Sequence, residues 1–486
     1  MSLACPTRPF TEKNARSPII FFKDRGRAYF CGVIKHDNAM KHLHTALLLL
    51  ALHLSAFPAL ADKGRKAPED DRNDPVAVPI GKEIAKSGWN IGVLPAFSYN
   101  NDLGFLVGAL AQVYDYGDGS VYPNYRHKFS ANVNIYTRGA RQLGLNYDSK
   151  YLVPGMRVTA GLEYMDNPLC GFYGFNGAVS PYHADLDQRK SADGTDGVAF
   201  YATHQRLFRT TLDVQGRLAD GLNWIGGVSY SWQHYSDVAF KVYDGRESLF
   251  HQYVQNGLIP EADTRGHRAE LKGGLVYDTR DFEPNPARGL VATVTATAGA
   301  SFSEGARGSL LLSADFRQYL PLWPGRITLA YQLCYKGLLA GSLPFYALPA
   351  FSMRGTFGSR ITGNGVAWAS ADLRLNLASF RVLKQNFQLG LVGFADAGAA
   401  VQPYELQRQT ALGGITAGKT LDGVDAGPYR SIFDPDIAVR ERLHSSVGGG
   451  FWFAMNRNFI TAVEFGRPLN PQDGSFGVYI NLGFSF

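Results

Sequence analysis

The last eleven residues, "FGVYINLGFSF", alternate without a break. Phe476, Val478, Ile480, Leu482, Phe484 and Phe486 form one face, and Gly477, Tyr479, Asn481, Gly483 and Ser485 the other. A period of two means a β-strand with one apolar and one polar side. Phe129, Ala131, Val133 and Ile135 likewise alternate with Ser130, Asn132, Asn134 and Tyr136. So do Met156, Val158, Ala160, Leu162 and Tyr164 against Arg157, Thr159, Gly161 and Glu163. In a fourth segment Ala369, Ala371, Leu373, Leu375 and Leu377 alternate with Ser370, Asp372, Arg374 and Asn376. One such strand would suit a soluble sandwich. Many of them, each about ten residues long, point to an outer-membrane barrel.

The connections discriminate further. Strands are expected near residues 89–98, 105–116, 127–137, 141–152, 155–166, 199–218, 221–236, 266–280, 288–301, 307–319, 324–338, 366–379, 386–400, 443–454, 459–466 and 476–486. The total is sixteen, an even number. The four longest connections, 167–198, 237–265, 339–365 and 401–442, all follow odd-numbered strands, while turn-like pieces such as "PLWPG" and "MNRN" follow even ones. Long loops on one rim and short turns on the other mark a transmembrane β-barrel, and a sandwich has no reason to sort loops by parity. The expected fold is therefore all-β, a 16-stranded antiparallel transmembrane barrel over residues 89–486. Closure would leave no unpaired strand edge in lipid. No segment after residue 61 carries 18 consecutive apolar residues, so no helical span is expected. The 54 glycines, 13% aromatics and mean hydropathy of -0.14 suit strands and turns better than helices.

The N-terminus reads as leader. "MKHLHTALLLLALHLSAFPALADKG" begins at Met40 with a cation at Lys41, an apolar run and an Ala59-Leu60-Ala61 cleavage site. Residues 40–61 are thus expected to be a signal peptide, and residues 1–39 an upstream over-extension of the reading frame. Residues 1–61 hold 8 of the 48 Lys and Arg and 3 of the 42 Asp and Glu, so beyond them the formal charge of +6 falls to +1. No nucleic-acid partner is expected from that balance. Residues 62–88 are charged and free of aromatics, and read as a solvated periplasmic tail.

Catalytic patterns are missing. His127, His183, His204, His234, His251, His267 and His444 show no metal spacing, and no G-x-S-x-G, P-loop or dinucleotide fingerprint occurs. "DTRD" at 278–281 holds two carboxylates without companion groups, and reads as a charged rim beside a turn. The loop segment "FHQYVQNGLIPEADTRGHR" carries no convincing site either. Glycines in "SVGGGFWF" are expected to make room for curvature or bulky neighbours. Cys170 and Cys334 are too widely separated for a disulfide framework or zinc site. Neither an enzyme nor a cofactor is expected.

Several ordered segments resemble the BamA/TamA-type outer-membrane assembly and translocation family. They are "FYGFNG" (172–177), "YDTRDFEPNPARG" (277–289), "MRGTF" (353–357), "ADLR" (371–374) and "FADAG" (394–398). The resemblance implies a sixth extracellular loop folded into the lumen, with its arginine paired to acidic residues of the inner wall. Mapped here, that latch comprises Arg354, Gly355 and Phe357 with Asp372, Arg374 and Asp396. Strand parity independently puts Asp372 and Asp396 on the polar face. Arg354 is expected to make charge-assisted hydrogen bonds to Asp396 and Asp372. Phe484 and Phe486 resemble a C-terminal assembly signal, with Asn481 at a place where glycine is often found.

Two departures stand out. Thr356 separates Gly355 from Phe357, where the family motif has the aromatic next to glycine, and residues 62–88 are too short for the family's periplasmic repeats. The resemblance implies insertion or translocation of proteins, or lipids, at the bacterial outer membrane. Its partners would be outer-membrane lipid, client outer-membrane proteins and a separate periplasmic protein. A passive pore constricted by the inward loop is the second expectation, and an adhesion barrel the third.

Overall fold

Alternation becomes a ladder. In the computed structural model each of sixteen strands pairs antiparallel with its chain neighbour, giving one continuous sheet. The residues described are 22–24, 27–29 and 86–486, apart from 101–103, 123, 178–179, 181, 183–199, 239–247, 304, 383–384, 406–440, 456–458 and 485. The signal peptide and most of the tail expected at 40–88 lie outside them. Phe22–Asp24 pairs with Arg27–Tyr29 within a separate unit, Met1–Lys66.

The sheet begins with β1 (Trp89–Asn100), β2 (Gly104–Asp115), β3 (His127–Tyr136), β4 (Arg141–Val153), β5 (Met156–Gly171), β6 (Ala202–Ala219), β7 (Leu222–Ser236) and β8 (Arg265–Asp278). It continues through β9 (Gly289–Ser303), β10 (Gly305–Trp323), β11 (Ile327–Gly341), β12 (Gly365–Val382), β13 (Gln385–Gln402), β14 (His444–Met455), β15 (Phe459–Pro468) and β16 (Gly477–Leu482). Most expected strands keep their bounds within about three residues, because both faces of each are specified by side-chain parity. None of the described helices is long and apolar enough to cross a membrane.

One face of the sheet leaves large apolar side chains exposed, among them Leu271, Leu275, Leu373, Leu391, Phe451 and Phe465. On the other face Arg268, Gln332, Asp372, Arg374, Asp396, Ser446 and Glu464 are buried. This is the reverse of a soluble protein, whose exposed face is polar.

The expected last strand, 476–486, is corrected. β16 stops at Leu482, because Gly483 adopts φ +85, a left-handed conformation that breaks the two-residue period. Phe484 consequently leaves the apolar face and packs edge-on against Trp452, 5.5 Å between centroids, beside Val392, Ala454, Ile460 and Ala462.

The connections after β5, β7, β11 and β13 share one aromatic core. Phe172, Tyr173, Phe175, Phe200 and Tyr201 pack with Phe345, Tyr346, Tyr404 and the buried side of a short helix, α1 (Leu249–Gln255). At the opposite ends, Arg280 forks onto Asp278 at 2.9 and 2.7 Å, and Asp281 accepts amide hydrogens from Phe282, Ala287 and Arg288. "DTRD" is thus a turn-building device.

Candidate functional site

The connection between β11 and β12 is held in shape by its own backbone. Ala350–Phe351 pairs with Ile361–Thr362, and the excursion between them carries Arg354 at its tip. Thr356 builds the bend: its N–H and hydroxyl both donate to the Met353 carbonyl, while its Oγ1 accepts from Met353 N–H. The residue inserted into the motif therefore has a structural job. Gly355 sits at φ +94, and a Cβ there would lie 2.6 Å from the Arg467 amide nitrogen of β15. A Cβ on Gly466 would meet the Arg354 carbonyl carbon at 2.7 Å. Backbone thus touches backbone, which only glycine permits on both sides.

That contact delivers Arg354 to three carboxylates. Its Nε and Nη2 donate to Asp396 at 2.9 and 2.6 Å, its Nη2 also to Asp372 at 2.9 Å, and its Nη1 to Glu464 at 2.8 Å. The Arg354 amide donates to Asp396 as well, at 3.2 Å. β12, β13 and β15 supply one carboxylate each, all buried. The guanidinium also lies 3.6 Å from the Phe394 ring centroid, a cation–π contact. Gly448, opposite Phe394 on β14, makes room for that ring, since a Cβ there would lie 2.4 Å from it. Burial disfavours the Arg354 charge, but the Asp396 hydrogen bonds and the charges of Asp372, Asp396 and Glu464 outweigh it, holding its pKa above the ordinary value.

The remaining singled-out residues divide. Phe357 does not reach the carboxylates; it stacks on Tyr173 at 5.1 Å and meets Tyr182 at 4.7 Å, within the aromatic core. Arg374 donates to Asp372 at 3.2 Å and to the Phe486 backbone oxygen at 3.0 Å. Its guanidinium lies 3.8 Å from the Phe484 ring centroid and 5.4 Å from that of Phe486. Both terminal aromatics therefore touch the Arg374 face, which corrects their expected place on the apolar one.

Three contacts escaped the sequence reading. Glu464 alternates with Val463 and Phe465, so its parity was legible, but nothing in the chain marks it as a partner of Arg354. Tyr479 accepts from the Gly355 amide at 2.7 Å through its hydroxyl. Arg360 donates to the carbonyls of Gly177 and Gln472, at 2.9 and 3.1 Å.

A family model described as the Omp85 superfamily domain matches residues 126–486, from the end of the β2–β3 turn through β16. The chain belongs to the Omp85 superfamily. This is a superfamily of non-enzymatic factors for outer-membrane protein biogenesis and translocation. Solved structures similar to the chain include BamA from Haemophilus ducreyi lacking POTRA domains 1-3, at 14% identity, over 81% of this chain and 70% of that one, with a TM-score of 0.46. CdiB from Escherichia coli is similar at 11% identity, over 82% of this chain and 62% of its own, with a TM-score of 0.45. No curated protein matches the sequence. Among the described residues no group of three or more His, Cys, Asp or Glu is placed to hold a metal ion. Cys170 and Cys334 are not joined to each other by a disulfide, and Cys170 Sγ lies 3.3 Å from Gln205 Oε1.

Proposed function

We propose that the ladder closes into a 16-strand barrel in the bacterial outer membrane, and that the protein assists insertion or translocation of proteins, or lipids, in the BamA/TamA manner. Outer-membrane lipid covers the apolar face, client outer-membrane proteins engage the barrel, and a separate periplasmic partner delivers them. The observation that carries this reading is Arg354. One loop arginine bound by carboxylates of three strands pins the β11–β12 connection to the polar face, which becomes the lumen on closure. Closure is supported by the approach of the ladder's two ends, since a Cβ on Gly92 of β1 would lie 3.8 Å from the Phe459 ring of β15. The four long connections then lie on the extracellular rim.

Depletion of the protein tests the function. The reading expects outer-membrane proteins to accumulate unfolded, with rescue by wild type and not by Arg354→Ala. Normal assembly on depletion would sink it. A second reading, a passive pore, is favoured by a polar cavity of about 460 Å3 lined by Lys128, Asp148, Arg157 and Glu283. Bilayer conductance that rises in Arg354→Ala, without any assembly defect on depletion, would support the pore instead.

A further inference from the structure

Where β14 begins, the His444 ring is clamped between two carboxylates. Its Nε2 lies 3.0 Å from Glu441 Oε1, at the end of the β13–β14 connection. Its Nδ1 lies 2.8 Å from Asp473 Oδ1, in the β15–β16 connection. His444 and Asp473 are each only 1% exposed. Two further connections close over them. From the β5–β6 connection, Gly177 presses so near that a Cβ would lie 2.5 Å from Glu441 Oε1 and 2.8 Å from His444 Nε2. From the β11–β12 connection, Arg360 Nε approaches Asp473 Oδ1 at 3.8 Å, while its Nη1 takes the Gly177 carbonyl.

The chemistry of the ring decides its state. Neutral imidazole has one N–H and one lone pair. Nε2 makes the hydrogen bond to Glu441, while Nδ1 lies close to Asp473 but off the hydrogen-bonding axis. Protonating both nitrogens therefore adds Coulomb attraction to both carboxylates and makes the imidazolium the state this enclosure favours. With His444 as imidazolium, two cations, His444 and Arg360, face two anions, Glu441 and Asp473. Beyond Arg360 stand the phenols of Tyr173 and Tyr201, and Arg442 reaches Gln472 on the exposed side. If the ring loses its proton, one cation remains against two carboxylates, one of them fully enclosed. That is costly in a low-dielectric setting.

We propose that His444 is a protonation-dependent clamp that fastens the β13–β14 connection to the β15–β16 connection. It is closed when the ring is protonated and loosens as pH rises through the titration of the ring. The clamp itself does not depend on the proposed transport role; on the orientation given above, the pH it senses is that outside the cell.

Hydrogen–deuterium exchange of the full chain in nanodiscs tests this, with rates corrected for intrinsic pH dependence. Amides at 441–445 and 470–474 should exchange about tenfold or more faster at pH 8.5 than at pH 5.5, the scale of one lost charge-assisted hydrogen bond. The segment 350–356 around Arg354 should not respond. His444→Gln should make the two clamp segments insensitive to pH. A wild-type response below twofold, or one that survives in His444→Gln, overturns the clamp. Should His444→Gln misfold, Glu441→Gln and histidine NMR replace it. Removing that carboxylate should move the His444 titration to lower pH, and an unmoved titration overturns the proposal.

Discussion

Arg354 and Arg360 sit six residues apart in one connection, and both are buried. Their surroundings differ in kind. Arg354 faces three carboxylates on strands, and the pKa of its guanidinium is raised. Arg360 donates mainly to carbonyl dipoles, with Asp473 at 3.8 Å, and burial lowers its pKa. Burial alone therefore does not tell what a buried arginine contributes; the charge of its partners does. Arg354 fastens the connection to the sheet, whereas Arg360 ties connections to one another.

The largest expected effect tests the first half of that contrast. Arg354→Ala removes the cation shared by three buried carboxylates, leaving Asp372 its bond to Arg374, and should cost about 3–5 kcal/mol in urea unfolding from detergent. Arg354→Lys should recover only part of it, since an ammonium cannot fork onto Asp396 while also reaching Glu464. Gly355→Ala should come next, at about 1–3 kcal/mol from its left-handed backbone. Its control is Gly358→Ala, three residues on, where a Cβ meets nothing within 4 Å and stability should hardly change. Arg360→Met should cost about 1–2 kcal/mol, because two carbonyls lose a donor while a disfavoured charge is also removed. Equal losses for Arg354→Ala and Arg360→Met would erase the distinction between the two arginines.

The strands were legible because a two-residue period fixes which side of the sheet each residue occupies. The same parity put Asp372, Arg374 and Asp396 on the polar face before any contact was visible. It failed at Gly483, where one left-handed residue turns Phe484 and Phe486 toward Arg374; glycine in an alternating run gives no sign of its φ. Glu464 went unrecognised for another reason. A lone carboxylate among small residues of the polar face is as compatible with a solvated position as with an ion pair. The aromatic core was beyond reach because Phe172, Phe250, Phe345 and Tyr404 come from four connections, and local sequence does not say which connections meet.

The smallest effect sharpens the contrast from the opposite end of the strands. Glu283, in the β8–β9 turn, lies 2.7 Å from Arg157 and 3.4 Å from Lys150, with Arg280 at 3.8 Å. Burial pushes its carboxyl up, but Arg157 foremost, then Lys150 and Arg280, outweigh that and bring it down to about 2. The unfolded value is about 4.3. A depressed folded pKa makes the contribution complete above about pH 5, and lost as pH falls through 4 toward 2. Glu283 is a third exposed, so solvent screens its pairs and the contribution should stay below about 1 kcal/mol. Glu283→Gln should therefore be slightly less stable than wild type at pH 6, and the gap should narrow by pH 3. A gap that widens on acidification would mean that Glu283 is not held as an anion by Arg157. The Arg354 cluster, enclosed on every side, would then be the better guide to how this protein uses paired charge than any pair at the turns.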